Sequence, residues 1–232
     1  MYNYCLLFII FFVYSVIGYI TEVTCVSLQS KKLVLSRGFL IGPYLPIFGI
    51  GGLFMSLFLT KYDNSLIELF IMSMVSCLII EYIGSLLLEK IFKLRWWDYS
   101  NKKYNINGRI CLETGVLFGL GGIIVVKLVN PLLSSLLLSI PKLVIIIIGI
   151  ILSVIFITDL IISIHITYNL KINFEKYNNK DATDEIRKLI KNELAKKHLL
   201  TYRLLNSFPN AKDKYHHKII QLIKKTKKLE GE

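Results

Sequence analysis

Acids set into apolar surroundings are the residues best able to do chemistry in this chain. Glu22, Glu81, Glu89, Asp98 and Glu113 lie in or beside long aliphatic runs. Arg37 and Arg109 follow close behind, and Trp96, Trp97, Tyr99 and Asn107 stand between them. Carboxylates so placed can meet a cation, a proton or a basic substrate. They can equally be neutralised from within by Arg37, Arg95 and Arg109, because an unpaired charge in hydrocarbon is costly. Acid–base work on a lipid is a third use, but nothing in the sequence fixes a nucleophile. The sequence contains no GxxxxGK[ST], HExxH or GxSxG, which excludes P-loop nucleotide hydrolysis in this chain and the common zinc-protease and serine-hydrolase signatures. His216 and His217 lack a third ligand nearby. No catalytic residue, metal or cofactor is expected.

The elements that carry these residues are apolar. The chain has 232 residues, 54% of them hydrophobic, and a mean hydropathy of +0.57, too high for a water-soluble domain. Five runs reach the roughly 20 residues needed to cross a bilayer: 4–28, 42–60, 66–90, 112–130 and 143–168. They are continuous rather than alternating, so a β-barrel is excluded. The expected fold is all-α, a polytopic transmembrane bundle of five spans over 1–170, followed by a basic amphipathic helical tail over 171–232. Of the 28 Lys and Arg residues, 25 fall in the loops at 29–41 and 90–111 and in the tail, against three in the alternate connections. By the positive-inside rule the N-terminus lies outside and the tail in the cytoplasm. The net charge of +12 is thereby explained without nucleic acid, and the partner surface is the lipid bilayer.

Within the spans, Ser73, Ser76, Cys77, Glu81, Gly84, Ser85 and Glu89 recur at steps of three and four, so one helical face should turn into the bundle. Gly42, Pro43 and Pro46 should break the second span, and Gly115 and Gly119 form a close-packing pair. Pro131 and Pro141 are expected to bracket an outer loop. Asp159 and His165 are weaker candidates to join the acids, and the four cysteines read as reduced, buried thiols. A repeat is visible: a span, a basic loop with Arg37, then Phe48-Gly-Ile-Gly-Gly, against a span, a basic loop with Arg109, then Phe118-Gly-Leu-Gly-Gly.

Arg37-Gly-Phe-Leu-Ile-Gly-Pro-Tyr-Leu-Pro46, Glu81-Tyr82, Glu89, Trp96-Trp-Asp-Tyr-Ser100 and Asn107-Gly-Arg109 make the chain resemble the CmpB-like family over about 15–135. That bacterial multi-pass family is catalogued as an ABC-transporter type IV permease. The resemblance implies a plasma-membrane permease served by a separate ATP-binding subunit, with the family pattern falling on Glu22, Arg37, Glu81, Glu89, Trp96, Trp97, Asp98, Tyr99, Asn107 and Arg109. A path through so few spans would require an oligomer. The expected site is a charged cluster at the cytoplasmic mouth. Two other readings stand beside it: an accessory or signalling membrane protein whose basic tail recruits a cytoplasmic partner, and a lipid-modifying enzyme.

Overall fold

Long aliphatic runs satisfy their own backbone as helices wherever water is excluded. The computed structural model, which describes residues 1–31, 33–35, 37–92 and 96–178, is accordingly mostly helical. Its elements are α1 (Tyr2–Ser30), α2 (Pro46–Phe54), α3 (Leu66–Phe92), strands β1 (Asn105–Ile106) and β2 (Ile110–Cys111), α4 (Leu112–Ile124), α5 (Asn130–Leu138) and α6 (Lys142–Asn178). The expected tail lies outside the described residues from 179 onward.

Among the described residues four helices are long and apolar enough to cross a membrane: Tyr2–Leu28, Leu66–Phe92, Leu112–Ser139 and Lys142–Tyr168. The second expected span is shorter, an apolar helix over Pro46–Tyr62. Aliphatic side chains such as Ile67, Leu117, Ile151 and Ile161 are more than 60% or about half exposed around these helices. That continuous apolar surface suits lipid and not water.

Pro46 opens α2 at its first turn, where a missing N–H costs nothing. The stretch from Gly38 to Leu45 before it is non-helical yet reaches the middle of α1, where the Leu45 N–H donates to the Ser15 carbonyl at 2.9 Å. Helix α1 packs against α2 and α6, and α3 against α4.

The repeat extends to backbone detail. Seven residues after Phe48 and after Phe118 the helix widens into a π-helical turn, Met55–Leu59 and Val125–Val129. In each case the first amide reaches back to a Gly-Gly pair, Met55 to Gly51 and Gly52, and Val125 to Gly121 and Gly122. Ten residues before each Phe stands a glycine with positive φ, Gly38 at 84° and Gly108 at 64°. Close approach also repeats: a Cβ on Gly49 would lie 2.1 Å from Ser15 Oγ, and one on Gly119 2.5 Å from the Phe70 ring.

Two expectations are corrected. Pro131 does not begin an outer loop but sits in the first turn of α5, directly after the π-helical turn Val125–Val129. Pro131 lacks an N–H to bond back, and the widened turn before it spares the helix that bond, so only Ser139–Ile140 separate this helix from Pro141. The fold is also not purely helical: β1 and β2 pair antiparallel, Asn105 with Cys111 and Ile106 with Ile110.

Candidate functional site

Face, loop and hairpin together build the polar end of the bundle. Along α3 the buried positions are Leu69, Ser73, Cys77, Glu81 and Ser85, one per turn, with Phe92 at the end of the helix, while Ser76, Gly84 and Glu89 are half-buried. This is the face expected to turn inward, and it brings Glu81 to the interior with 6% of its surface exposed.

The connection after α3 folds back on it. Asn107 and Gly108 both have positive φ, 53° and 64°, which the primed turn of a tight hairpin requires and which Asn-Gly adopts most readily. Arg109 N–H closes the turn on Ile106 O at 3.0 Å, Gly108 N–H donates to Asn105 Oδ1 at 3.0 Å, and Tyr99 N–H donates to Gly108 O at 2.8 Å. Trp97 Nε1 donates to Arg109 O at 2.9 Å. The aromatic words of the loop thus lock the hairpin that aims Arg109.

Arg109 reaches α3 along one face. Its Nη2 stands 2.8 Å from Glu89 Oε2, its Nη1 donates to Ser85 Oγ at 3.0 Å, and its guanidinium lies 5.8 Å from the centre of the Tyr82 ring. Asn107 Nδ2 donates to the Tyr82 hydroxyl at 3.0 Å. In the other half, Arg37 Nη2 pairs with Glu22 Oε1. Glu81 has no arginine among the described residues. Tyr99 O–H donates to its Oε1 at 3.0 Å, and its Oε2 is buried with no partner. Burial, and after it the Glu81 charge, push the Tyr99 phenol well above its ordinary pKa, so it remains a donor. Glu22 and Glu81 are near enough for the charge of one to act on the other.

Other expected site residues stand apart. Glu113 is exposed and pairs with the exposed Lys102 at 2.7 Å, a surface pair of little energetic weight. Asp98 caps its own turn, accepting from Ser100 N–H at 3.1 Å. Trp96 packs with Phe39 and Phe92, ring centres 5.5 and 5.8 Å away, and Ile166 borders that cluster. Arg95 lies outside the described residues, and His165 is exposed. Among the described residues no three His, Cys, Asp or Glu converge as a metal site.

Asp159 is a greater participant than its sequence context suggests. Buried in α6, it accepts from Ile41 N–H at 2.9 Å, Gly42 N–H at 2.7 Å, the Tyr44 hydroxyl and Ser163 Oγ at 2.9 Å. Two of these bonds satisfy the Ile41 and Gly42 N–H groups of the non-helical stretch, as backbone outside a helix requires where water is excluded. A lone acid in the most apolar span, mean hydropathy 3.0, was the available signal.

Apolar helices on the outside, and acids, arginines and a non-helical segment packed among them, define a multi-pass helical membrane protein with a polar interior at one end. The chain belongs to the family described as "Putative ABC-transporter type IV", whose model matches residues 9–164. No curated protein and no solved structure matches it.

Proposed function

We propose that this chain is the membrane-spanning, permease-like component of a bacterial ABC transporter, with its working site at the cytoplasmic mouth formed by Glu22, Arg37, Glu81, Glu89 and Arg109. The observation that carries the reading is the gathering of one buried and two half-buried acids from α1 and α3 at one end of the bundle, each met by a loop that folds back: Arg37 on Glu22, Tyr99 on Glu81, Arg109 on Glu89. Ionisable groups held inside a membrane bundle mark pathways for charge. Family membership supplies the transporter class.

In this reading the transmembrane domain covers 1–170 with five crossings. The second crossing is completed by the Gly38–Leu45 stretch together with Pro46–Tyr62, whose 17 residues alone span about 25 Å as a helix. The basic loops and the tail from 171 face the cytoplasm, as the charge asymmetry favours. Trp96 to Tyr99 hold the turn at the interface. The two loops offer docking surfaces to a separate ATP-binding subunit, and copies of the chain associate to enclose a path. The chain itself catalyses no hydrolysis.

Purification of the tagged chain from its native membrane tests this. An ATP-binding subunit should accompany it in stoichiometric amount, with ATP hydrolysis lost in Glu81→Gln and Arg109→Ala. A regulator in that place would favour the signalling reading, and full activity in both variants would remove the site assignment.

A further inference from the structure

Two buried carboxyls in this fold are treated differently, and the difference identifies a ligand. Asp159 receives four donors, two of them backbone N–H groups. That is the complement an ionised carboxylate needs when water is excluded. Glu81 is as deeply buried but receives one donor, the Tyr99 hydroxyl on Oε1, and Oε2 has none. An ionised carboxylate left so short of donors is heavily penalised, whereas a neutral acid needs one acceptor for its O–H.

Thr114 lies beside Glu81, but its hydroxyl proton goes to the Cys111 carbonyl at 2.9 Å, and Oε2 is left with no partner. Among the described residues the surrounding groups give no countercharge. From α1 comes Glu22, a like charge already engaged with Arg37. From α3 comes Cys77, and from the loop and hairpin come Tyr99 and Cys111, all three neutral in their ordinary form. The α2 residues against this stretch of α3 are Ile47, opposite Gly84, and Gly51, opposite Cys77. Arg109 is committed to Glu89 and Ser85.

We infer that Glu81 is a proton-binding site, neutral in the resting chain and exchanging its proton with water at the hairpin end of the bundle. The bound proton forms one O–H bond at Oε2 and removes the charge that the site cannot solvate. Glu22, which comes to the same interior from the other half of the repeat, opposes ionisation of Glu81 while it carries its own charge. Tyr99 works the other way, since its bond to Oε1 favours the ionised form. The inference rests on the hairpin end being the working site, and it adds the proton as a ligand of that site.

Infrared difference spectroscopy of the full chain in lipid nanodiscs, titrated with pH, tests it. Wild-type protein at neutral pH should show the carbonyl stretch of a protonated acid, shifted in D₂O and absent in Glu81→Gln. Glu22→Gln should move its midpoint down by about one pH unit and Tyr99→Phe should move it up, because the first removes a like charge and the second a donor to the carboxylate. An acid band at neutral pH that survives Glu81→Gln, or no band at all, overturns the assignment. Should Glu81→Gln fail to fold, the other two variants decide, since a midpoint that neither of them moves is not that of Glu81. The spectrum reads the acid whether or not anything is transported. A neutral Glu81 in a chain with no ATP-binding partner would keep the proton site and remove the permease, and an ionised Glu81 in an active transporter would do the reverse.

Discussion

The halves formed by α1 with α2 and by α3 with α4 share a Phe-Gly-x-Gly-Gly helix, a π-helical turn and a positive-φ glycine, yet they hold their loops by different means. Gly38 to Leu45 of the first loop form no helix or strand. The N–H groups of Ile41, Gly42 and Leu45 are satisfied from outside, by Asp159 on α6 and the Ser15 carbonyl on α1. The second loop closes on itself as a hairpin and fastens to its own α3 through Arg109, Asn107 and Tyr99. One scaffold therefore supports a dependent loop and an autonomous one. The acids differ in parallel: Glu22 has an arginine, and Glu81 has a phenol.

If that contrast is real, Asp159→Ala should produce the largest effect and confine it to the first half. Three donors, the half-buried Ile41 and Gly42 N–H groups and the buried Tyr44 hydroxyl, lose this acceptor, a cost of about 3 kcal/mol. The check is thermal unfolding in detergent, with proteolysis newly appearing between Gly38 and Leu45 and not in the hairpin. Gly119→Ala should come next. Its Cβ would lie 2.5 Å from Phe70, whereas nothing lies within 4 Å of one on Gly121. The first substitution should cost about 1–3 kcal/mol and Gly121→Ala should stay within about 0.5 kcal/mol of wild type, measured by the same unfolding assay.

Arg109→Ala sharpens the comparison from the other side. It removes the bonds to Glu89 and Ser85 while leaving the first loop untouched, at about 1–2 kcal/mol given that Glu89 is partly solvated. Arg109→Lys should restore little, because the two bonds use separate guanidinium nitrogens. Hydrogen exchange of the hairpin amides is the readout. The smallest effect belongs to Glu113→Gln, whose partner Lys102 is exposed. Neither unfolding temperature nor exchange at the hairpin should change.

How far the sequence could anticipate this depended on how local each signal was. The inward face of α3 was legible because Ser73, Cys77, Glu81 and Ser85 recur once per turn in an otherwise aliphatic helix. The Glu22–Arg37 pair was legible from proximity in the chain, and Pro43 with Pro46 marked the break before α2. Pro131 misled, since a proline read as a terminator is tolerated after a π-helical turn that no residue pattern announced. The hairpin had its cue in Asn107-Gly108, but two-residue strands are too short to show an alternating pattern. Tyr99 as the partner of Glu81 was hidden by the expectation that acids near arginines pair with them. The role of Asp159 was not local at all, because the amides it accepts from lie 117 and 118 residues away.

The central claim is that each half brings a carboxyl to the polar end of the bundle and that the second, among the described residues, is held by a phenol rather than a cation. A cryo-EM structure of the full chain in a lipid nanodisc, enlarged by a bound antibody fragment, measures this directly. It should find Glu81 facing Glu22 in the interior, with the Tyr99 hydroxyl about 3 Å from its carboxyl and Arg37 on Glu22. A map that turns Glu81 toward lipid, or places an arginine or lysine on it in place of Tyr99, would contradict the account.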